Sequence, residues 1–176
     1  MDSKRLPFLL SVAIISLIAL FGERFHCPVY TAYIIGAILV WYFAPRFELK
    51  FHLECDAYAL LVIGALATYF DWWERIPHFD KWVHFFIHLV VGIAAAQLWS
   101  RYIREKPWFL ILASVGTVIL VGYILELVEQ FLWILFDIEM ALPGEFYTDT
   151  MSDFMIDIGG GLAGIGLWWS RNMEGK

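Results

Sequence analysis

PWFLILASVGTVILVGYILELVEQ, residues 107–130, decides the fold. Pro107 suits the first position of a helix, where its missing N–H costs nothing. At about 1.5 Å of rise per residue a helix of this length covers about 36 Å, enough for the about 30 Å of hydrocarbon in a bilayer. Its only charged residues are Glu126 and Glu129. The apolar run continues through Phe131–Phe136, too long for one straight span, so this end is expected to bend onto the interface or form a separate short element.

Working outward, five further stretches have the length and composition of spans: 6–22, 27–44 (ended by Pro45), 53–70, 82–99 and 153–169. Of the nine Trp, all but Trp133 fall near a span end: Trp41, Trp72, Trp73, Trp82, Trp99, Trp108, Trp168 and Trp169. That is the aromatic belt of a bilayer protein. Across 176 residues, 61% are hydrophobic, 18% aromatic and 17% charged. The net charge of −6 and two Cys exclude a nucleic-acid binder and a disulfide scaffold, and the apolar excess excludes disorder. The reading is an all-α polytopic transmembrane bundle of six spans in a single integral membrane domain, residues 1–176. Lys4 and Arg5 ahead of an apolar stretch resemble a secretory signal, but no small-x-small cleavage pattern follows, so an uncleaved first helix is expected.

Basic residues orient the chain. With a cytoplasmic N-terminus the inner segments hold Lys4, Arg5, Arg46, Lys50, Arg101, Arg104, Lys106, Arg171 and Lys176, against Arg24, Arg75 and Lys81 outside. Both termini are therefore expected in the cytoplasm, in a cell or plasma membrane. Cys27 then lies at the outer surface and Cys55 at the inner, so they should remain unpaired.

The acids divide the other way. Glu23, Asp71, Glu74, Asp80, Asp137, Glu139, Glu145, Asp149 and Asp153 fall on the outer side, and Glu126, Glu129 and Asp157 fall inside spans. Ionisable groups at membrane depth are costly and mark functional sites. Asp80, His84 and His88 repeat every four residues on one helix face; Asp149, Asp153 and Asp157 do the same if the last helix starts early enough, with Thr148 or Asp149 as its cap. Glu126 and Glu129 are i, i+3 neighbours. Following the alternating direction of the spans, all three groups reach the same outer third of the membrane. Gly160 and Gly164 have the small-xxx-small spacing of close helix packing, which would press Asp157 against a neighbour.

So many carboxylates in low dielectric need compensation, either by a divalent cation or by protonation. His with carboxylates suits zinc, manganese or iron, and magnesium is the oxygen-preferring alternative. A lone His in an aromatic-rich helix is more often a hydrogen-bonded core residue, and an Asp at a helix start more often a cap. The shared depth of the set lifts it above that.

Tyr69-Phe70-Asp71, then Asp80-Lys81-Trp82-Val83-His84-Phe85-Phe86, Tyr123-Ile124-Leu125-Glu126-Leu127-Val128-Glu129, and Tyr147-Thr148-Asp149-Thr150-Met151-Ser152-Asp153 ahead of a Gly-rich last span resemble, in this order, the YjdF-like family of small polytopic membrane proteins over residues 65–168. More distantly the order is similar to the VanZ-like family. The resemblance implies an integral-membrane fold and functional weight at His84, Glu126, Glu129, Asp149 and Asp153. It implies no reaction.

The leading expectation is a metal-dependent membrane enzyme, a hydrolase or transferase, with a His/carboxylate cleft toward the outer leaflet. Its substrate would be a lipid-linked or amphipathic molecule, such as a phospholipid or polyprenyl-phosphate head group. Asp80, His84, His88, Glu126, Asp149 and Asp153 are the candidate metal ligands. Glu129 or Asp157 would be the general base toward a water held by the metal. Two other classes use the same acids: a cation- or proton-coupled transporter or channel, and an accessory membrane protein with a structural cation site. The transporter is weakened by the scarcity of inner-half polar residues, Gln97, Ser114 and Thr117.

Overall fold

A computed structural model of the chain describes residues 5–22, 27–103, 106–136 and 146–173. The expectations that rest on Lys4, Glu23, Arg24, Arg104, Asp137, Glu139, Glu145 and Lys176 lie outside the described residues. Among those described, all regular structure is helical: α1 (Leu6–Phe21), α2 (Cys27–Arg46), α3 (Phe51–Tyr69), α4 (Trp72–Arg75), α5 (Phe79–Tyr102), α6 (Pro107–Phe136) and α7 (Phe146–Met173). Three of them, α2, α5 and α6, are long and apolar enough to cross a membrane. α1 is equally apolar but has only 16 residues.

Four boundaries differ from the sequence reading. α2 runs through Pro45 to Arg46. It ends where Glu48 turns left-handed (φ 47°), so that the Leu49 N–H reaches the Ala44 carbonyl and the Glu48 N–H the Pro45 carbonyl. This C-terminal turn, rather than proline, stops the helix. α6 continues as one helix past Phe131 to Phe136, with no Gly or Pro after Gly122 to interrupt it. α7 begins at Phe146, so Thr148 and Asp149 lie inside its first turn and do not cap it. An acid there suits the positive end of the helix dipole. The short α4 was not expected; an ion pair between Arg75 and Asp71 (3.0 Å) braces it.

The described chain divides into two compact units, Met1–Val83 and His84–Lys176. In the first, α1, α2 and α3 run up, down and up. Phe8 stacks on Trp41, Gly36 faces Leu61, and Gly64 lies against the Tyr33 ring. Ile15, Tyr30 and Ala65 form its core. Cys27 and Cys55 are free thiols, as expected.

In the second unit, α5 and α7 run parallel with α6 antiparallel to both. Parallel packing follows from the glycines. A Cβ on Gly160 would strike the Phe85 carbonyl, and one on Gly164 the Leu89 carbonyl, so both numbers climb together. Gly92 likewise lies on the Gly161 carbonyl. The backbones thus meet directly, as the Gly160/Gly164 spacing predicts. Gly122 of α6 faces Asp157, Val118 packs on Gly161, and Leu110 packs with Ile165, so α6 descends as α7 climbs. At the end of the unit away from His84, Ala96, Leu110 and Ile165 form an apolar core flanked by Trp99 and Trp168.

Many large apolar side chains stand on the outer faces. Leu112, Leu120, Ile134 and Leu135 of α6 all stand exposed. Contiguous exposed apolar surface of this kind is the surface of a protein whose solvent is lipid.

Candidate metal centre

The second unit buries a polar cluster between its three helices, at the end opposite its apolar core. α5 contributes His84 and His88, one turn apart. α6 contributes Glu126 and Glu129. α7 contributes Asp153 and Asp157, also one turn apart. His84, His88, Glu126, Asp153 and Asp157 are all buried, His88 and Asp157 completely (0% exposed). The i, i+4 and i, i+3 spacings place each pair on one helix face, and the glycine contacts let those faces approach.

Two groupings that lie wholly within the second unit share His84. In the first, Asp157 Oδ1 lies 3.0 Å from His84 Nδ1 and 2.6 Å from His88 Nδ1. His88 Nδ1 also lies 3.0 Å from the His84 carbonyl oxygen. In the second, His84 Nε2 stands 3.6 Å from Glu129 Oε1, and one ligand atom from each of His84, Glu126 and Glu129 falls within 4.8 Å of the others. A carboxylate oxygen of Asp153 also lies within 4.8 Å of a His84 ring nitrogen. Three buried atoms of the cluster have no hydrogen-bond partner: His88 Nε2, Glu126 Oε1 and Asp157 Oδ2. Buried polar atoms are rarely left so, and each such atom calls for an explanation.

Of the residues singled out in the sequence, His84, His88, Glu126, Glu129, Asp153 and Asp157 meet in this cluster. Asp149 sits one turn before Asp153 on α7, half-buried; among the described residues it joins none of these groupings of ligand atoms. Asp80 occupies the turn before His84 on α5, within the first unit, where Lys81 Nζ lies 3.4 Å from it.

Two members escaped the sequence reading. Gly122 lies one turn before Glu126 on α6; a Cβ there would come within 2.6 Å of Asp157 Oδ2 and 3.3 Å of His88 Nε2. Thr150 hydrogen-bonds Glu126 from α7. Helical spacing held the signal for both, since Gly122 is i−4 to Glu126 and Thr150 is i−3 to Asp153.

Of the described cations, Lys81 stands nearest in the chain, three residues before His84 on α5 and paired with Asp80; those of the second unit lie far from the cluster. The described Lys and Arg of the second unit are Arg101, Lys106 and Arg171. Arg101 is seventeen residues beyond His84 on α5, about 25 Å along the axis; Lys106 and Arg171 lie at the same far end.

Apolar helices of membrane-crossing length around a buried His/carboxylate cluster define an integral membrane protein of the helical class. The chain belongs to the family described as "Predicted membrane protein (DUF2238)", whose model matches residues 6–173. No curated protein and no solved structure matches it.

Proposed function

We propose that this protein is a membrane-embedded, metal-dependent enzyme whose His/carboxylate site acts on a lipid-linked or amphipathic substrate, phosphorylated head groups included. The observation that carries this reading is the facing of His84 Nε2 and Glu129 Oε1 across 3.6 Å, beside the unpartnered Glu126 Oε1. With Nδ1 donating to Asp157, a neutral His84 presents the Nε2 lone pair to Glu129, and a lone pair opposite a carboxylate calls for a cation between them. Two ligand atoms each about 2.1 Å from one ion lie about 3.4 Å apart at the tetrahedral angle, so little movement is required.

Charge supports the same reading. Within the second unit, Glu126, Glu129, Asp153 and Asp157 share the cluster with two His, while the described Lys and Arg of that unit lie at its other end. A divalent cation would offset that excess of acid. His84, Glu126 and Asp153 would hold it. Glu129 is the least buried member, its side chain 30% exposed, and is the carboxylate able to take a proton from a nucleophile at the mouth. Zinc, manganese, iron or magnesium would supply Lewis-acid polarisation of a phosphoryl or carbonyl oxygen. The motif order shared with YjdF-like proteins, and distantly with VanZ-like ones, marks His84, Glu126 and Glu129 as well. Six spans with both termini in the cytoplasm would open the site to the outer leaflet, at head-group depth.

Packing disfavours a through-path using the same acids. Next to Gly122 and Asp157, Val118 is buried against Gly161. Further along, Ser114 and Thr117 give their hydroxyl protons to the Leu110 and Ala113 carbonyls.

Metal analysis of protein purified in lipid nanodiscs without chelators tests the proposal. The expected result is one divalent metal per chain, lost in His84→Ala and Glu126→Ala, together with metal-dependent turnover in a panel of phospholipids and polyprenyl phosphates followed by mass spectrometry. Absence of stoichiometric metal from the folded wild type would remove the mechanism. Metal without turnover would leave the structural cation site of an accessory protein.

A further inference from the structure

The sequence leaves Asp157 open as a base, and the geometry points elsewhere. We propose that Asp157 is a positioning residue: one carboxylate oxygen takes the Nδ1–H of both His84 and His88 and thereby turns His84 Nε2 toward Glu126 and Glu129.

His88 comes first. Its Nδ1 lies 3.0 Å from the His84 carbonyl oxygen and 2.6 Å from Asp157 Oδ1. A carbonyl can only accept, so this nitrogen carries a proton. That one proton is shared between the carbonyl and Asp157 Oδ1, the nearer of the two, so Oδ1 accepts from His88. His84 Nδ1 lies 3.0 Å from the same oxygen. For His84 to be an Nε2–H tautomer, Oδ1 would have to carry a proton toward His84 while accepting from His88. The arrangement that satisfies all three contacts is an ionised Asp157 accepting from two Nδ1–H donors.

The position of Asp157 is also enforced. It is completely buried, and its second oxygen rests where Gly122 has no Cβ, too close for any larger residue. A carboxylate so enclosed has no path to a substrate, and a base needs one. Orienting a ligand His through its other ring N–H is what a carboxylate in this position does at metal sites. The metal clause of this inference rests on the reading above; the tautomer clause does not.

Two measurements test it. In metal-free wild type, histidine ¹⁵N NMR should report a protonated Nδ1 at His84 and His88, assigned with His84→Gln and His88→Gln. An Nε2–H tautomer at His84 overturns the proposal. Separately, Co²⁺ titration of wild type should give a visible ligand-field band, and Asp157→Asn should keep that band unshifted while binding Co²⁺ about 10–100-fold more weakly. A band lost or shifted as in Glu126→Gln would make Asp157 a ligand, and unchanged affinity would deny it a positioning role; either overturns the proposal. If wild type takes up no Co²⁺, or Asp157→Asn does not fold, the tautomers of the wild type alone decide. Failure of the metal reading is thus distinguishable from failure of this one.

Discussion

Gly122 lacks the side chain that would displace Asp157, and its effect can be isolated. In Gly122→Ala the new Cβ would fall 2.6 Å from Asp157 Oδ2, in a place with no room to yield. Overpacking of this kind costs about 1–3 kcal/mol. The melting temperature of the detergent-solubilised variant should fall, and metal affinity should fall about tenfold or more as Asp157 leaves His84. An unchanged melting curve would show that Asp157 is not confined there. At the same scale, His84→Ala removes the one residue common to both groupings. Its purified form should hold no divalent metal by elemental analysis, while its helix content by circular dichroism remains that of wild type.

The helices carry a different kind of constraint. Gly160 and Gly164 meet backbone carbonyls of α5, which cannot rotate away, whereas Gly159 and Gly166 face open space. Gly160→Ala and Gly164→Ala should therefore force α5 and α7 apart and lower the melting temperature. Gly159→Ala and Gly166→Ala should be neutral, or stabilising by up to about 1 kcal/mol from reduced backbone entropy. Thermal unfolding of all four in one detergent checks this, and equal losses across the set would refute the parallel packing. The element scale is also where sequence was least informative. Periodicity and length locate α5 well, but Pro45 did not end α2, because a left-handed Glu48 two residues beyond Arg46 did. Asp149 suggests a cap, yet α7 had already begun at Phe146. Local residue preference sets where a helix can end, and the hydrogen bonds available to its last turn set where it does.

For the whole molecule the measurable question is which side of the membrane each end faces. Cys27 and Cys55 are the only cysteines, which makes the native chain its own probe. An impermeant thiol reagent added to intact cells should label the Cys55→Ser variant through Cys27 and should spare the Cys27→Ser variant. After lysis Cys55 should become reactive. Labelling of Cys55 from outside would invert the proposed topology. Metal binding should also be visible globally. A cation present at about a hundred times its dissociation constant stabilises the folded state by about 2.7 kcal/mol, so chelation should lower the melting temperature of wild type and leave Glu126→Gln unmoved.

By itself the sequence determined that this is an all-helical membrane protein and that acids and His gather at one level of it. Both follow from composition, span length and a period of four, which are local quantities. It also showed that Gly160 and Gly164 permit close packing. Which atoms meet was decided only by the tertiary structure. Asp157 and Glu129 are equivalent candidates in the sequence, both in-span carboxylates one turn or less from another acid. Packing separates them: Asp157 is sealed against Gly122 beneath two histidines, while Glu129 stays partly open beside the other face of His84. A carboxylate's chemistry depends on what surrounds its two oxygens, and those neighbours come from three helices far apart in the chain.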